Sequence, residues 1–121
     1  LCQGQVDGMK TDTKKLLFAG IELALQTLQK AKRELDWSPE NLDHLVLHQV
    51  SKVHTEQLAN TLGLSLDKVL AIYPEYGNIG PASVPFVLSK LAESGRAEPG
   101  DRIALMGIGS GLNCTMTEIR W

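Results

Sequence analysis

At 121 residues the chain has the length of one ordinary domain and is too short for two; 43% hydrophobic and 21% charged residues fit a globular protein with a real core. No apolar run approaches the ~20 residues needed to cross a bilayer, which sets aside a membrane span. Twelve basic residues against fourteen acidic ones give a net charge of -2 without a basic stripe, which sets aside nucleic acid as a partner.

Residues 1–11 have no apolar periodicity and carry Gly4 and Gly8, so they read as a loop or as the remnant of a preceding element. From Asp12 or Thr13 to about Leu35, the positions Leu17, Ile21, Ala24, Leu25, Leu28 and Ala31 recur at helical spacing and predict a long helix. Gly20 inside it costs about 1 kcal/mol relative to Ala, so another backbone is expected to come close there. Ser38-Pro39 ends the run. Residues 44–48 predict a buried strand, and Ser51 is an N-cap for a helix through Leu62 that Gly63 closes. Residues 69–73 predict a second strand leading into a loop from Gly77 to Gly80.

A third helix, with Pro81 and Pro85 near its start, runs to Ser94 and is capped by Gly95. Glu98-Pro99-Gly100-Asp101 is a turn with Pro and Gly at its central positions. Residues 103–108 and 112–121 are strands joined at Gly109-Ser110-Gly111, too tight for anything but an antiparallel pair. The predicted fold is α/β, a mixed sheet flanked by helices in the order α-β-α-β-α-β-β, one unit over residues 1–121. The long first helix needs cover on its far side, and the chain starts at Leu1 rather than Met, so a longer protein is expected.

Cys2 and Cys114 are too few for a disulfide framework, and no Cys/His spacing suits zinc. No metal is expected, and a cytoplasmic location fits best. The residues with chemical promise are His48 and Asn78, each at or just beyond the end of a predicted strand, because groups at the carboxyl ends of neighbouring parallel strands converge on one crevice. On its own a strand-end histidine is more often a satisfied polar residue than a catalyst. Asn78 alone reads as a turn residue tolerating a left-handed backbone beside Gly77. His44, at a strand start, and His54, on a helix, read as ordinary surface or capping residues. A serine hydrolase built on Ser110 carries little weight, since strand-turn-strand is not the strand-turn-helix of a nucleophile elbow.

Four separate segments fall in register with one family: residues 43–49 ending in His48-Gln49, Tyr76-Gly77-Asn78 followed by Ala82-Ser83 and Pro85, Pro99-Gly100-Asp101, and Gly107-Ile108-Gly109-Ser110-Gly111. Over residues 38–121 the chain resembles the C-terminal half of the ketoacyl-synthase III enzymes. The resemblance implies a thiolase-like fold of two similar halves, with a Cys-His-Asn active site between them. His48 and Asn78 are by that resemblance the catalytic histidine and asparagine, and the nucleophilic cysteine belongs to the N-terminal half. Neither Cys2 nor Cys114 matches it.

The segments Gly77-Asn78-Ile79-Gly80-Pro81 and His48-Gln49-Val50-Ser51 depart from the usual bacterial pattern. With the ending from Gly107 to Cys114 they look more like the subgroup that joins two long-chain acyl thioesters head to head in olefin biosynthesis. The implied reaction is a Claisen condensation giving a 3-oxoacyl product, with coenzyme A or acyl-carrier phosphopantetheine thioesters as substrates and no further cofactor. His48 and the Asn78 amide would donate to one thioester oxygen, at about 3 kcal/mol each. Gly77, Gly109, Ser110 and Gly111 would form the loops around the substrate, the Ser110 amide helping to hold the acyl-cysteine oxyanion. The expected partners are the N-terminal half and a second copy in a homodimer. The isolated 121 residues are expected to be inactive. The competing reading is a non-catalytic acyl-binding or dimerisation module of the same fold.

Overall fold

The computed structural model describes residues 2–5 and 8–121. Strands β1 (Cys2–Gln5) and β2 (Gly8–Thr11) pair antiparallel, so these residues are strand and not the loop that is one of the two readings of residues 1–11. Helix α1 (Thr13–Glu34) follows, started by the Asp12 carboxylate, which accepts from the Lys15 amide at 3.0 Å. Its bounds are close to those its periodicity predicts. Gly20 does meet a close neighbour, but that neighbour is the Ile108 side chain rather than a backbone: a Cβ at Gly20 would lie 3.3 Å from the Ile108 Cδ1.

Strand β3 (His44–Leu47) pairs in parallel with β4 (Arg102–Gly109), and β4 pairs antiparallel with β5 (Asn113–Arg120), so the sheet is mixed as expected. Between β3 and β4 come α2 (Lys52–Leu62), the single turn α3 (Tyr73–Tyr76) and α4 (Ser83–Ser94). Ser51 caps α2 through the His54 amide, and Gly63 ends it with a left-handed backbone at φ 67°.

Successive side chains of a strand face opposite sides of the sheet, and the core divides accordingly. Leu45, Leu47, Ala104 and Met106 face the layer of α1 and α2, where Leu28, Trp37, Leu58 and Leu62 are buried. Val46 and Ile103 face the other side, beneath Val87 and Leu91 of α4. A partly buried network fastens the end of α1 to the sheet. Arg102 reaches Glu118 with two nitrogens at 3.1 and 2.8 Å and the Leu35 carbonyl at 2.8 Å, while the Trp37 indole donates to Glu118 at 2.7 Å.

The strand predicted over residues 69–73 does not form. Only Val69 bridges Leu45, and α3 begins at Tyr73. The reason lies in Gln49, whose side-chain amide takes the place of a ladder partner: its Nε2 donates to the Leu70 carbonyl at 2.8 Å, and its Oε1 accepts from the Ile72 amide at 2.8 Å and the Tyr73 amide at 3.3 Å. With those backbone groups satisfied by one side chain, the segment needs no neighbouring strand.

Candidate active site at the carboxyl end of the sheet

Because β3 and β4 run in parallel, residues that follow β3 and the tip of the β4–β5 hairpin emerge at the same end of the sheet. His48 is the first residue beyond β3 and is still held by the ladder, its amide donating to the Met106 carbonyl at 2.9 Å. Its half-buried ring lies near enough to the backbone of Gly80 to be influenced by it electrostatically. Burial lowers the His48 pKa below its ordinary value of 6.5 and outweighs the Gly80 backbone, which raises it. The ring is therefore neutral at pH 7 and carries one N–H donor.

Asn78 reaches the same glycine from the other side. Its Oδ1 accepts from the Gly80 amide at 2.9 Å, which leaves the exposed side-chain amide nitrogen as a donor. The loop takes this shape through its glycines, with φ 62° at Gly77 and 60° at Gly80, and not through a left-handed Asn78. The Gly80 backbone thus neighbours both His48 and Asn78. The hairpin tip is organised separately: Gly111 has φ 111°, and the Asn113 amide donates to the Ser110 carbonyl at 2.6 Å. Among the described residues no side-chain hydrogen bond links Ser110 to His48 or Asn78; what they share is the end of the sheet.

A shallow cleft, partly open to solvent, is lined by His48. Its lining is mostly apolar, including Gly20, Ile21, Leu58, Leu62, Met106 and Ile108. His54 lines it too, which corrects the expectation of an ordinary surface residue. Burial and the nearby His48 both lower its pKa from 6.5, and its Nδ1 is buried without a hydrogen-bond partner. The signal was present in the sequence, for His54, Leu58 and Leu62 are spaced four apart and share one helix face. His44 is buried as well, its Nε2 lying 2.8 Å from the Asp101 carboxylate in the turn before β4.

Cys114 borders the cleft, but burial pushes its thiol pKa up more than a hydrogen bond with Thr27 lowers it, so it is a poor thiolate. Among the described residues no cluster of His, Cys, Asp and Glu could hold a metal ion, and no helix is long and apolar enough to cross a membrane.

The family profile described as 3-oxoacyl-[acyl-carrier-protein (ACP)] synthase III C terminal matches residues 31–121. The chain is 56% identical over all 121 residues to the acyl-CoA:acyl-CoA alkyltransferase of Xanthomonas campestris pv. campestris, of which it covers 36%. It is 40% identical over 107 residues to the beta-ketoacyl-[acyl-carrier-protein] synthase III of Prochlorococcus marinus, covering 88% of this chain and 31% of that one. Among solved structures, 3-oxoacyl-(acyl carrier protein) synthase III, FabH, of Xanthomonas oryzae pv. oryzae superposes with a TM-score of 0.94 at 55% identity, over 100% of this chain and 36% of that one. A cysteine-to-serine variant of Xanthomonas campestris OleA with bound lauric acid and lauroyl-CoA gives 0.93 at 56% identity, with the same coverage. The chain spans little more than a third of the length of these relatives.

Proposed function

Because the chain belongs to the 3-oxoacyl-[acyl-carrier-protein] synthase III C-terminal family and has its thiolase-like fold, we propose that it forms the distal part of an acyltransferase that condenses two long-chain acyl-coenzyme A thioesters to a 3-oxoacyl product. The observation that supports this reading is that His48 and Asn78 both neighbour the Gly80 backbone, and that His48 also lines an apolar cleft.

In this reading a cysteine of the N-terminal part takes the first acyl group and releases coenzyme A. The second thioester then gives up a proton from its α-carbon to a base supplied from outside residues 1–121, and negative charge develops on its carbonyl oxygen. A neutral His48 N–H and the free Asn78 amide donate to that oxygen, and donors fixed in place beforehand lower the barrier without reorganising during the step. The enolate carbon attacks the acyl-cysteine carbonyl, where the Ser110 amide adds a donor, and the cysteine thiolate leaves. Gly77, Gly109 and Gly111 let the loop backbones approach the substrate. No cofactor other than the thioester carrier is needed. Coenzyme A is favoured as carrier by the resemblance of the segments 77–81 and 107–114 to the subgroup that joins two acyl thioesters head to head. We read the whole protein as a cytoplasmic homodimer, as the family resemblance implies.

The test uses the full-length protein with a long-chain acyl-coenzyme A. His48→Ala should abolish condensed product while part of the initial acyl transfer survives. Equal loss of both steps would remove the enolate role from His48.

A further inference from the structure

We propose that Gln49 is a positioning residue for condensation, setting His48 against the loop that carries Asn78, with Ser83 as its second anchor. The inference rests on the roles proposed above for His48 and Asn78.

Gln49 follows His48 directly and is wholly buried, at 0% exposure. Its side chain holds Leu70, Ile72 and Tyr73, and its backbone amide donates to the Ser83 Oγ at 2.9 Å. These partners lie on either side of the Asn78 loop: residues 70–73 lead into it, and Ser83, also at 0% exposure, leads out. A carboxamide with its nitrogen on a carbonyl and its oxygen on two amides has only one orientation available. The distance between the end of β3 and the entry to the loop is therefore fixed by the length of one side chain. The His48 amide on Met106 holds the same strand end from the β4 side.

An apolar side chain of similar volume would fill the position without the desolvation cost of a buried amide. What it could not do is tie the segment before Asn78 to the residue after His48. Two donors that must meet at one oxygen depend on such a tie, since a displacement of about 1 Å can cost about a hundredfold in rate.

The experiment follows acyl loading, read as coenzyme A release, separately from 3-oxoacyl product in full-length Gln49→Met, Ser83→Ala and His48→Ala proteins. For Gln49→Met the condensation kcat should fall at least about tenfold while loading changes less than about twofold. Ser83→Ala removes a single acceptor and should show the same split at about threefold. Should Gln49→Met not fold, the Ser83→Ala split decides alone. A merely structural role predicts that both steps fall together with thermal stability, and that result, or unchanged condensation, overturns the inference. If His48→Ala abolishes condensation while the Gln49 and Ser83 variants show no split, only the positioning role fails. If His48→Ala leaves condensation intact, the functional reading fails with it.

Discussion

His48 and His54 line one cleft, the first from the end of β3 and the second from the first turn of α2; burial disfavours protonation of both, and the nearby His48 further disfavours protonation of His54. Both pKa values are lowered from 6.5, so between the lowered values and 6.5 the unfolded chain binds more protons than the folded one. Their contribution to stability is therefore fully present above about pH 6.5 and is lost as pH falls toward the folded values. The thermal midpoint should decline on acidification through that window, and His54→Gln should make the decline shallower. Imidazole NMR titrations check the premise directly, since either ring titrating at or above 6.5 would contradict it.

Asn78→Ala removes the amide donor and also the acceptor for the Gly80 amide. Condensation by the full-length protein should fall by about a hundredfold or more, the loss typical of one oxyanion donor. Asn78→Asp keeps the acceptor and loses the donor, so it should be as slow as Asn78→Ala. Recovery of turnover in Asn78→Asp would mean that Asn78 serves the loop and not the substrate.

Gly20→Ala should be tolerated. Alanine gains about 1 kcal/mol of helix propensity, against a shift of a few tenths of an ångström by the flexible end of Ile108. Gly20→Leu is different, because its branches would enter the cleft. In the whole enzyme it should depress turnover of long acyl chains more than short ones, and equal effects across chain lengths would place the acyl group elsewhere.

Trp37→Phe keeps most of a buried ring and deletes the indole donor to the Glu118 carboxylate. A hydrogen bond to a charged acceptor contributes about 1.5–3 kcal/mol, and denaturant unfolding should show a loss of that order. A change below about 0.5 kcal/mol would mean that Arg102 and Arg120 satisfy the carboxylate without the indole.

Elements governed by nearby residues were legible in the sequence. Asp12, Ser51, Gly63 and Gly95 mark helix ends through contacts within a few residues, and the α1, α2 and β4–β5 predictions hold to within a residue or two. The segment 69–73 misled because its apolar run is that of a strand, while the groups that satisfy its backbone belong to Gln49, more than twenty residues earlier. The β1–β2 pair carries no apolar alternation to announce it. His48 and Asn78 were named from register with a family, yet their shared nearness to Gly80 depends on φ angles that only the folded loop reveals. The surface reading of His54 overlooked that it shares a helix face with Leu58 and Leu62, a pattern that already pointed it toward the core.

The parallel pairing of β3 with β4 also orders events in time. His44 meets Ile103 across about sixty residues of chain, whereas β5 finds β4 across the short turn between Gly109 and Asn113. Closing so long a loop sacrifices chain entropy before any contact rewards it, so the hairpin is expected to form first and β3 to dock afterwards, once α2 and α4 can cover its two faces. Pulse-labelled hydrogen exchange during refolding of the full-length protein would then find the β4–β5 amides protected ahead of those linking β3 to β4. The strand end that carries His48 would be among the last parts of this region to acquire its working geometry.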